Sequence, residues 1–246
     1  MIYDVFCSEH AKGNPCGVVM LERWLDDSTL LALARDMAQP VTSFICQSAA
    51  GFVIRWFSLE SEINLCGHGS LGAGAALIGQ HDLDSVTLSS RYGEVTITEQ
   101  QGMYSLSLPA WSGVSSTLPP QLAALKASTL EVFRTRDLVV VVDSVAALEG
   151  FAPALEQLMT LQDSHSLIVT AQSDSEGYAL RYFAPKIGIF EDLATGSAHC
   201  SLAPYWMSKL NSDQLIAHQH SPAGGYFELS KGLGDTVVVA AQVRRV

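Results

Sequence analysis

Short runs of alternating or β-branched hydrophobic residues recur along the chain and predict many β-strands. Most of these runs end at glycine, serine, aspartate or proline, which favour turns. The predicted strands cover residues 2–6, 17–21, 51–57, 85–88, 94–98, 104–108, 138–142, 167–171, 178–183, 226–229 and 236–243. Hydrophobic positions with helical spacing predict helices at residues 27–37, 71–79, 144–148, 152–161 and 197–210. This mixture is typical of an α+β or α/β fold.

Residues 111–120 (WSGVSSTLPP) are the one stretch in which serine, glycine and proline gather without a hydrophobic period. We interpret this stretch as a linker that divides the chain near its middle. The predicted N-terminal lobe is residues 1–110 and the predicted C-terminal lobe is residues 111–246. A chain of 246 residues, 48% of them hydrophobic, is long enough for two modest cores.

A weak internal repeat spans the predicted boundary. In the first half, IRWF at residues 54–57 precedes CGHGS at residues 66–70; in the second half, LRYF at residues 180–183 precedes TGSAH at residues 195–199. Each half therefore predicts a strand, a loop, a glycine-containing turn and a helix rich in small residues. Two copies of one design are expected to face each other across a cleft.

Charge and cysteine content narrow the classes of partner and compartment. The chain has 14 basic and 25 acidic residues and a net charge of -11, without any run of Lys or Arg, so we expect no nucleic-acid partner. The five cysteines form an odd, scattered set that does not suit a disulfide framework, which predicts a reduced, cytoplasmic protein. No segment approaches the ~20 apolar residues that span a bilayer, and the N-terminus lacks a signal-peptide pattern, so no membrane association is expected.

The two glycine-containing turns are suited to binding an anion. A turn that opens a helix leaves backbone N–H groups unpaired, and the helix dipole adds partial positive charge there. Glycines at 67, 69 and 196 would let a ligand approach the main chain, so two facing turns could hold a small carboxylate and stabilise an enolate-like intermediate. The alternative is structural: Gly67, Gly69, Gly72 and Gly74 would allow close packing of a buried helix.

Four side chains at or next to these turns could carry chemistry. Cys66 would have its thiolate favoured at a helix start, although an inert buried cysteine is the alternative. His68 could move protons or could be a hydrogen-bonded structural histidine. Glu191 and Asp192 are predicted at the mouth of the second turn, where Asp192 is either a helix cap or a proton carrier. Neither turn has ligand spacing that lets two side chains reach one metal ion, so no metal is expected.

Three segments resemble the signatures of the PhzF family of phenazine-biosynthesis-like isomerases. They are KGNPCGV at residues 12–18, RWFSLESEINLCGHGSLGAG from Arg55 and RYFAPKIGIFEDLATGSAHCSLAPYW from Arg181, in family order along nearly the whole chain. The resemblance implies the diaminopimelate-epimerase-like fold, with two pseudo-symmetric lobes that each wrap a curved sheet around a central helix. It also implies an active site between the lobes and a last strand that crosses back to the first lobe.

The resemblance further implies an isomerase or epimerase that transfers a proton within a small, cyclic carboxylic acid, as part of a biosynthetic process and without metal or organic cofactor. His68, Asp192 and Ser197 match functional residues of the family, whose implied roles are to orient the substrate and help move protons; Cys66 is our fourth catalytic candidate. The substrate-binding candidates are Gly67, Gly69, Ser70, Thr195, Gly196 and Asn14. A homodimer is the expectation for a soluble enzyme of this size.

The sequence departs from the family at the position of its proton shuttle. The family pattern resembles S-E-T-A-F where this chain has PVTSF, so Val41 stands in the place of the shuttle glutamate and cannot accept a proton. Ala223 in SPAGGY replaces an arginine of many relatives, and Leu193 replaces a proline. Three hypotheses remain: an isomerase whose proton work passes to Asp192, His68 or Cys66, a catalytically impaired module that binds a small carboxylate, and a structural protein that keeps only the fold.

Overall fold

The computed structural model describes residues 1–162, 164–174 and 176–246 of the chain. These residues form two compact units. The first comprises Met1–Ser107 together with Val239–Val246, and the second comprises Leu108–Val238. The chain thus leaves the first unit close to the division predicted after residue 110, and its C-terminal end belongs to the first unit again.

The first unit is a sheet closed around one buried helix. Its helices are α1 at Asp27–Met37 and α2 at Gly67–His81. Strands β1 to β8 lie at Ile2–Cys7, Asn14–Leu21, Val41–Ser48, Gly51–Phe57, Glu62–Ile63, Ser85–Ser90, Gly93–Gln100 and Met103–Pro109, and the last strand, β16, spans Thr236–Arg245. The strand order is β1-β2-β3-β4-β6-β7-β8-β16, and β16 pairs antiparallel with β1. Every residue of α2 from Gly69 to Ile78 is buried.

The second unit is a mixed sheet in the order β15-β14-β13-β12-β11-β10-β9. Helices α3, α4 and α5 lie at Val145–Gly150, Leu155–Met159 and His199–Leu210, and short 3₁₀ helices lie at Pro120–Leu125, Pro185–Ile187 and Gly196–Ala198. Strands β9 to β15 lie at Val114–Ser115, Thr129–Arg134, Leu138–Val142, Leu167–Asp174, Gly177–Phe183, Gln214–Gln219 and Gly225–Lys231. A hydrophobic core that includes Leu138, Val140, Val169 and Phe183 lies between the sheet and the helices.

The internal repeat of the sequence corresponds to a repeated topology. In the first unit, β2 and β3 are parallel and joined through α1, β3 and β4 are antiparallel, and β4 and β6 are parallel and joined through α2. In the second unit, β11, β12, β13 and β14 follow the same scheme, with α3 and α4 in the first crossover and α5 in the second. The glycine-containing turn opens the second crossover helix in each unit. The predicted α+β class is confirmed.

Some elements were missed because their sequence lacks the expected alternation. Strand β3 was not predicted, since its polar residues Thr42 and Ser43 are as fully buried as Phe44 and Ile45. Strands β10 and β14 were also missed. The predicted start of α2 at residue 71 is late, because the glycines before it form the first helical turn despite their low helix propensity.

The linker prediction for residues 111–120 is wrong. Strand β9 lies within this segment and pairs with β10, and the Trp111 N–H donates a hydrogen bond to the carbonyl of Cys200 at 2.7 Å. The segment therefore satisfies its backbone groups within the second unit. Within the described residues, no helix combines the length and apolar character needed to cross a membrane.

Candidate active site

The first turn, residues 66–70, places a thiol and an imidazole in contact at the start of α2. Cys66 is the N-cap, and its Sγ accepts a hydrogen bond from the Gly69 N–H at 3.4 Å. The Cys66 Sγ also lies 3.2 Å from Nδ1 of His68. Ser70 is buried, and its Oγ donates to the Cys66 carbonyl at 2.7 Å. The capping geometry thus fixes Cys66, and Cys66 fixes the ring of His68.

The other ring nitrogen of His68 has no protein partner. Its Nε2 is buried and makes no hydrogen bond to any described residue. Burial lowers the pKa of His68 to about 4, so its imidazole is neutral at neutral pH. A neutral imidazole that is held at Nδ1 and unpaired at Nε2 can exchange a proton with a ligand.

The structure separates the four glycines of this segment by what surrounds them. A Cβ at position 69 would lie 2.8 Å from Ser43 Oγ, one at position 72 would lie 2.3 Å from Cys16 Sγ, and one at position 74 would lie 2.6 Å from Ile97. These three glycines are required by packing. A Cβ on Gly67 would meet nothing within 4 Å. The structural alternative thus accounts for the absence of a side chain at 69, 72 and 74, whereas Gly67 opens onto free space.

Val41 lies on the strand face below the first turn. Ser43, two residues further along β3, points to the same face as Val41, and its Oγ donates to the Gly69 carbonyl at 2.9 Å. Val41 pairs with Cys16 in the parallel register of β2 and β3, and the Cys16 Sγ approaches the His68 carbonyl at 3.8 Å. The isopropyl group is 7% exposed. Residue 41, which the family resemblance predicts to be the position of the proton shuttle, therefore carries an apolar side chain.

Asn14 begins β2 on the same face as Cys16 and is buried. Gly13 precedes it with a φ of +80°, and a Cβ there would lie 2.2 Å from the carbonyl of Val5, so only glycine fits this bend. Burial raises the pKa of the Cys16 thiol far above its usual range, so Cys16 stays protonated. Cys66, in contrast, is placed beside the imidazole of His68.

The second turn, residues 192–197, is organised by a carboxylate and an amide side chain. Oδ1 of Asp192 accepts from the Leu193 N–H at 2.9 Å, and Oδ2 accepts from the Thr195 Oγ at 2.6 Å. Gln219, from β14, donates to the Asp192 carbonyl at 2.7 Å and accepts from the Thr195 N–H at 2.8 Å. Asp192 therefore holds the turn in shape through Leu193 and Thr195, and the N-cap of the following 3₁₀ helix is Thr195 rather than Asp192. The Asp192 side chain remains partly exposed.

Ser197 contacts an arginine that the sequence did not single out. Nη2 of Arg136 donates to Ser197 Oγ at 3.3 Å and to Tyr182 Oη at 3.1 Å. The same guanidinium forms a bidentate pair with Asp137, with distances of 3.1 and 2.8 Å. Arg136 lies in the tight turn between β10 and β11, and its guanidinium stacks 5.1 Å from the Trp111 ring. The second turn thus has a cation beside its serine.

Each turn presents two backbone donors without a protein acceptor. In the first turn they are the N–H groups of Gly67 and His68, and in the second they are those of Gly196 and Ser197; none of the four has a hydrogen-bond acceptor within the part of the chain that the structure describes. Such groups at a helix start attract negative charge. This is the feature that the two turns share.

The internal repeat also includes a matched ion pair ahead of each turn. Arg55 of β4 binds Glu62 in a bidentate manner, at 2.9 and 2.6 Å, and Arg181 of β13 binds Glu191 at 2.7 and 3.0 Å. Each arginine also stacks on a phenylalanine of its own strand. Glu191 was predicted at the mouth of the second turn together with Asp192, and the structure shows instead that it anchors the preceding loop.

His199 is a core residue. It is fully buried, its Nδ1 lies 2.6 Å from Tyr178 Oη, and its ring packs against Phe227 at 4.2 Å. Burial lowers its pKa to about 3. Among the described residues, no group of three or more His, Cys, Asp or Glu is arranged to hold a metal ion.

Sequence reasoning missed Ser43, Arg136 and Gln219. Each contacts its turn from a distant strand or hairpin, with separations of 26, 61 and 24 residues, and none lies in a motif. The one signal in the sequence that could have indicated Ser43 is the presence of a polar residue within a hydrophobic segment. A separate cavity of about 590 Å³ in the second unit lies against Trp111, Ser201 and Tyr205 and contains none of the predicted site residues.

Comparison with known proteins identifies the relatives of this chain. A family model described as "Phenazine biosynthesis-like protein" (PhzC-PhzF) matches residues 3–230. A Vibrio cholerae protein named "Uncharacterized isomerase" is 52% identical over 244 residues, covering 99% of this chain and 88% of that protein. A Pseudomonas aeruginosa protein with the same description is 33% identical, covering 97% and 93%.

Solved structures give the same picture. A crystal structure of a PhzF-family phenazine biosynthesis protein from Enterococcus faecalis is 30% identical, with a TM-score of 0.91 and coverage of 99% of this chain and 94% of that one. A predicted epimerase from Pseudomonas aeruginosa, at 20% identity and a TM-score of 0.72, shares the fold and covers 100% and 95%.

Proposed function

This chain belongs to the PhzF family of phenazine-biosynthesis-like proteins, and on that basis we propose that it is an isomerase that moves a proton within a small, cyclic carboxylic acid without a metal or organic cofactor. The observation that carries the proposal is the contact at the first turn. There the Cys66 Sγ holds Nδ1 of His68 at 3.2 Å, while Nε2 of the same ring is buried without a partner among the described residues. Two relatives with 52% and 33% identity are named isomerases, which supports the reaction class.

The proposed reaction conserves atoms and electrons. Neutral His68 takes a proton from a carbon next to an electron-withdrawing group of the substrate, and the C–H electron pair becomes part of an enolate-like intermediate. The unpaired N–H groups of Gly67 and His68 stabilise this developing negative charge. The proton then returns to a different carbon, or to the other face of the same carbon, so the product is an isomer.

In this proposal, Val41 explains why the proton work falls to His68 and Cys66. A valine that is 7% exposed below the first turn can neither accept nor donate a proton. Asp192 uses both carboxylate oxygens to hold the second turn, which makes it a residue that shapes the site and orients a substrate with Ser197. Thr195, Gly196, Ser70 and Asn14 remain proposed binding or supporting residues.

Deuterium exchange tests the proposal. The wild-type protein is incubated in D₂O with a panel of cyclic and α-substituted carboxylic acids, and deuterium in the recovered acids is measured by mass spectrometry. We expect incorporation into at least one acid, and a loss of roughly 10²- to 10⁴-fold in Cys66→Ser and His68→Gln. Asp192→Asn should also abolish exchange by disordering the second turn.

Cys46→Ser is the matched control for the thiol, because Cys46 and Cys66 are each 7% exposed but Cys46 lies in β3 away from the turn. Serine is a good N-cap, so Cys66→Ser should keep the helix start. The second candidate function is a carboxylate-binding module, which the valine at position 41 favours. Saturable binding of an acid, without deuterium exchange of any acid, would support this function instead of the isomerase. A protein that neither binds nor exchanges any acid would support the fold-only hypothesis.

A gain of function tests the role of position 41. Val41→Glu should raise the exchange rate if the rest of the pocket suits the chemistry of glutamate-containing relatives, and Val41→Gln, which has the same shape without a carboxylate, should not. Both variants bury a polar group, so their melting temperatures must be compared first. No gain in a folded Val41→Glu protein would show that the pocket has been remodelled for another substrate.

A further inference from the structure

Arg136 is held in one orientation by Asp137, Tyr182 and Trp111 of the second unit. Asp137 is 1% exposed and accepts Nε and Nη2 of the guanidinium, and the Trp111 ring covers one face of it. Ser166 donates to the same Asp137 carboxylate at 2.6 Å. The guanidinium is therefore pre-organised before any ligand arrives, which reduces the entropy lost on binding.

One edge of this guanidinium is not used by the protein. Among residues 1–162, 164–174 and 176–246, the guanidinium donates its hydrogen bonds through Nε and Nη2, and Nη1 has no acceptor. The side chain is 38% exposed. Ser197 Oγ, which accepts from Nη2, still has its own hydrogen to donate. Arg136 and Ser197 thus offer donors side by side.

The loop next to the second turn, residues 221–225, carries no basic side chain that could bind an anion in place of Arg136. Residues 221–225 pack directly against the turn. The Ser221 hydroxyl donates to the Leu193 carbonyl at 2.5 Å, and a Cβ at position 225 would lie 2.8 Å from the Cβ of Ala194. This loop carries Ala223 and no basic residue. The nearby Arg181 is fully occupied by Glu191 and by backbone carbonyls.

We infer that Arg136 binds the carboxylate of the substrate at the second turn, together with the Ser197 hydroxyl and the unpaired N–H groups of Gly196 and Ser197. The inference rests on the proposed function and adds a specificity-determining residue to it. Arg136 selects a carboxylate over a neutral group because its free Nη1 edge and the turn donors are matched by an anion. Asp137 and Tyr182 act only by positioning it.

The test compares acids with their amides. Benzoate and cyclohexanecarboxylate, each with its carboxamide, are titrated by calorimetry against the wild-type protein, and the exchanging acids of the panel give KM and kcat. Arg136→Gln alone would leave Asp137 as an unpaired buried carboxylate, so the main variant is Arg136→Gln with Asp137→Asn, which keeps the shape without an uncompensated charge. Arg136→Lys keeps the charge and loses the fork. Arg134→Gln, on the same hairpin, is the control for removal of an arginine side chain.

We expect the double variant to weaken acid binding, or to raise KM, by roughly 10- to 100-fold, with little change for the amides and a smaller change in kcat. Arg136→Lys should recover part of the loss, and Arg134→Gln should resemble the wild type. Equal losses for acids and amides, or no loss in a folded double variant, would overturn the inference even if exchange continues. A wild type that binds acids through Arg136 but exchanges none would uphold it while the proposed reaction fails. A wild type that binds no acid would overturn it.

Discussion

The two turns use the same backbone device and different side chains. Each opens a helix after a strand with an anchored arginine, and each presents two N–H groups that have no acceptor among the described residues. The first turn adds Cys66 and His68, whereas the second adds Asp192 and Ser197 with Arg136 beside it.

This difference separates the elements that both copies of the repeat share from the side chains that we propose to carry the chemistry. The Arg–Glu pair and the helix-opening turn occur in both units, which indicates that the fold needs them. The thiol–imidazole contact occurs only in the first turn and the guanidinium–serine contact only in the second. We therefore expect substitutions of shared elements to change stability, and substitutions of unshared ones to change activity.

The largest expected effect separates two histidines with similar environments. Both His68 and His199 have a buried Nε2 without a partner in the described residues. They differ at Nδ1, which contacts the Cys66 thiol in His68 and the Tyr178 hydroxyl in His199. His68→Gln should lower the exchange rate by roughly 10²- to 10⁴-fold with little change in melting temperature. His199→Gln should destabilise the protein by about 1–3 kcal/mol, because it removes the Tyr178 contact, and leave the rate per folded molecule unchanged. The reverse pattern would assign the chemistry to the second turn.

Acidification should weaken both units through the same histidines. Burial lowers the pKa of His68 to about 4 and that of His199 to about 3, both below the ordinary value of 6.5. As the pH falls, the unfolded chain therefore binds a proton at each histidine before the folded protein does. The free energy of unfolding that these neutral histidines contribute is fully present above pH 6.5 and is lost as the pH falls toward the pKa values of the folded state. Each histidine should contribute a loss of about 2 kcal/mol between pH 7 and pH 5.

Urea unfolding of the wild type and of the two glutamine variants at both pH values measures this loss. Each variant should lose its own share of the pH dependence. A stability that does not change with pH in this window would contradict the burial of both rings.

Glycine substitutions sharpen the distinction between packing and binding within the first turn. Gly69→Ala should destabilise the protein by about 1–3 kcal/mol, because its Cβ would lie 2.8 Å from Ser43 Oγ and 3.0 Å from Trp56. Gly67→Ala has room for its Cβ and should leave the melting temperature nearly unchanged, while lowering the exchange rate if the ligand approaches the main chain there. Equal effects of the two substitutions on stability would show that Gly67 also serves packing.

The smallest expected effect tests the shared ion pairs. Glu62→Gln and Glu191→Gln should each reduce stability by about 1 kcal/mol, because the bidentate charged pair with Arg55 or Arg181 becomes a neutral hydrogen bond. Neither should change the exchange rate of the folded protein. A large loss of activity in Glu191→Gln alone would return Glu191 to the role first predicted for it, at the mouth of the second turn.

Local patterns predicted the parts of the molecule that depend on neighbours in sequence. Helix α1 at Asp27–Met37 was predicted with its bounds, because Asp26 caps it and its hydrophobic period is regular. Strand β3 was missed because Thr42 and Ser43 are buried against other elements, which no local alternation reveals. The prediction of a linker at residues 111–120 was wrong for the same reason, because the backbone of this segment bonds to Cys200 and to β10, which are distant in sequence.

The sequence by itself determined the family, the repeat and the identity of the candidate groups, including the valine at position 41. These follow from the order of residues along one strand, turn and helix. Only the tertiary structure decided which glycines serve packing, that Glu191 pairs with Arg181, and that Arg136 contacts Ser197. Those outcomes depend on which distant strands lie against each turn, and hydrogen bonds and steric contacts between distant segments leave no period or motif in the chain.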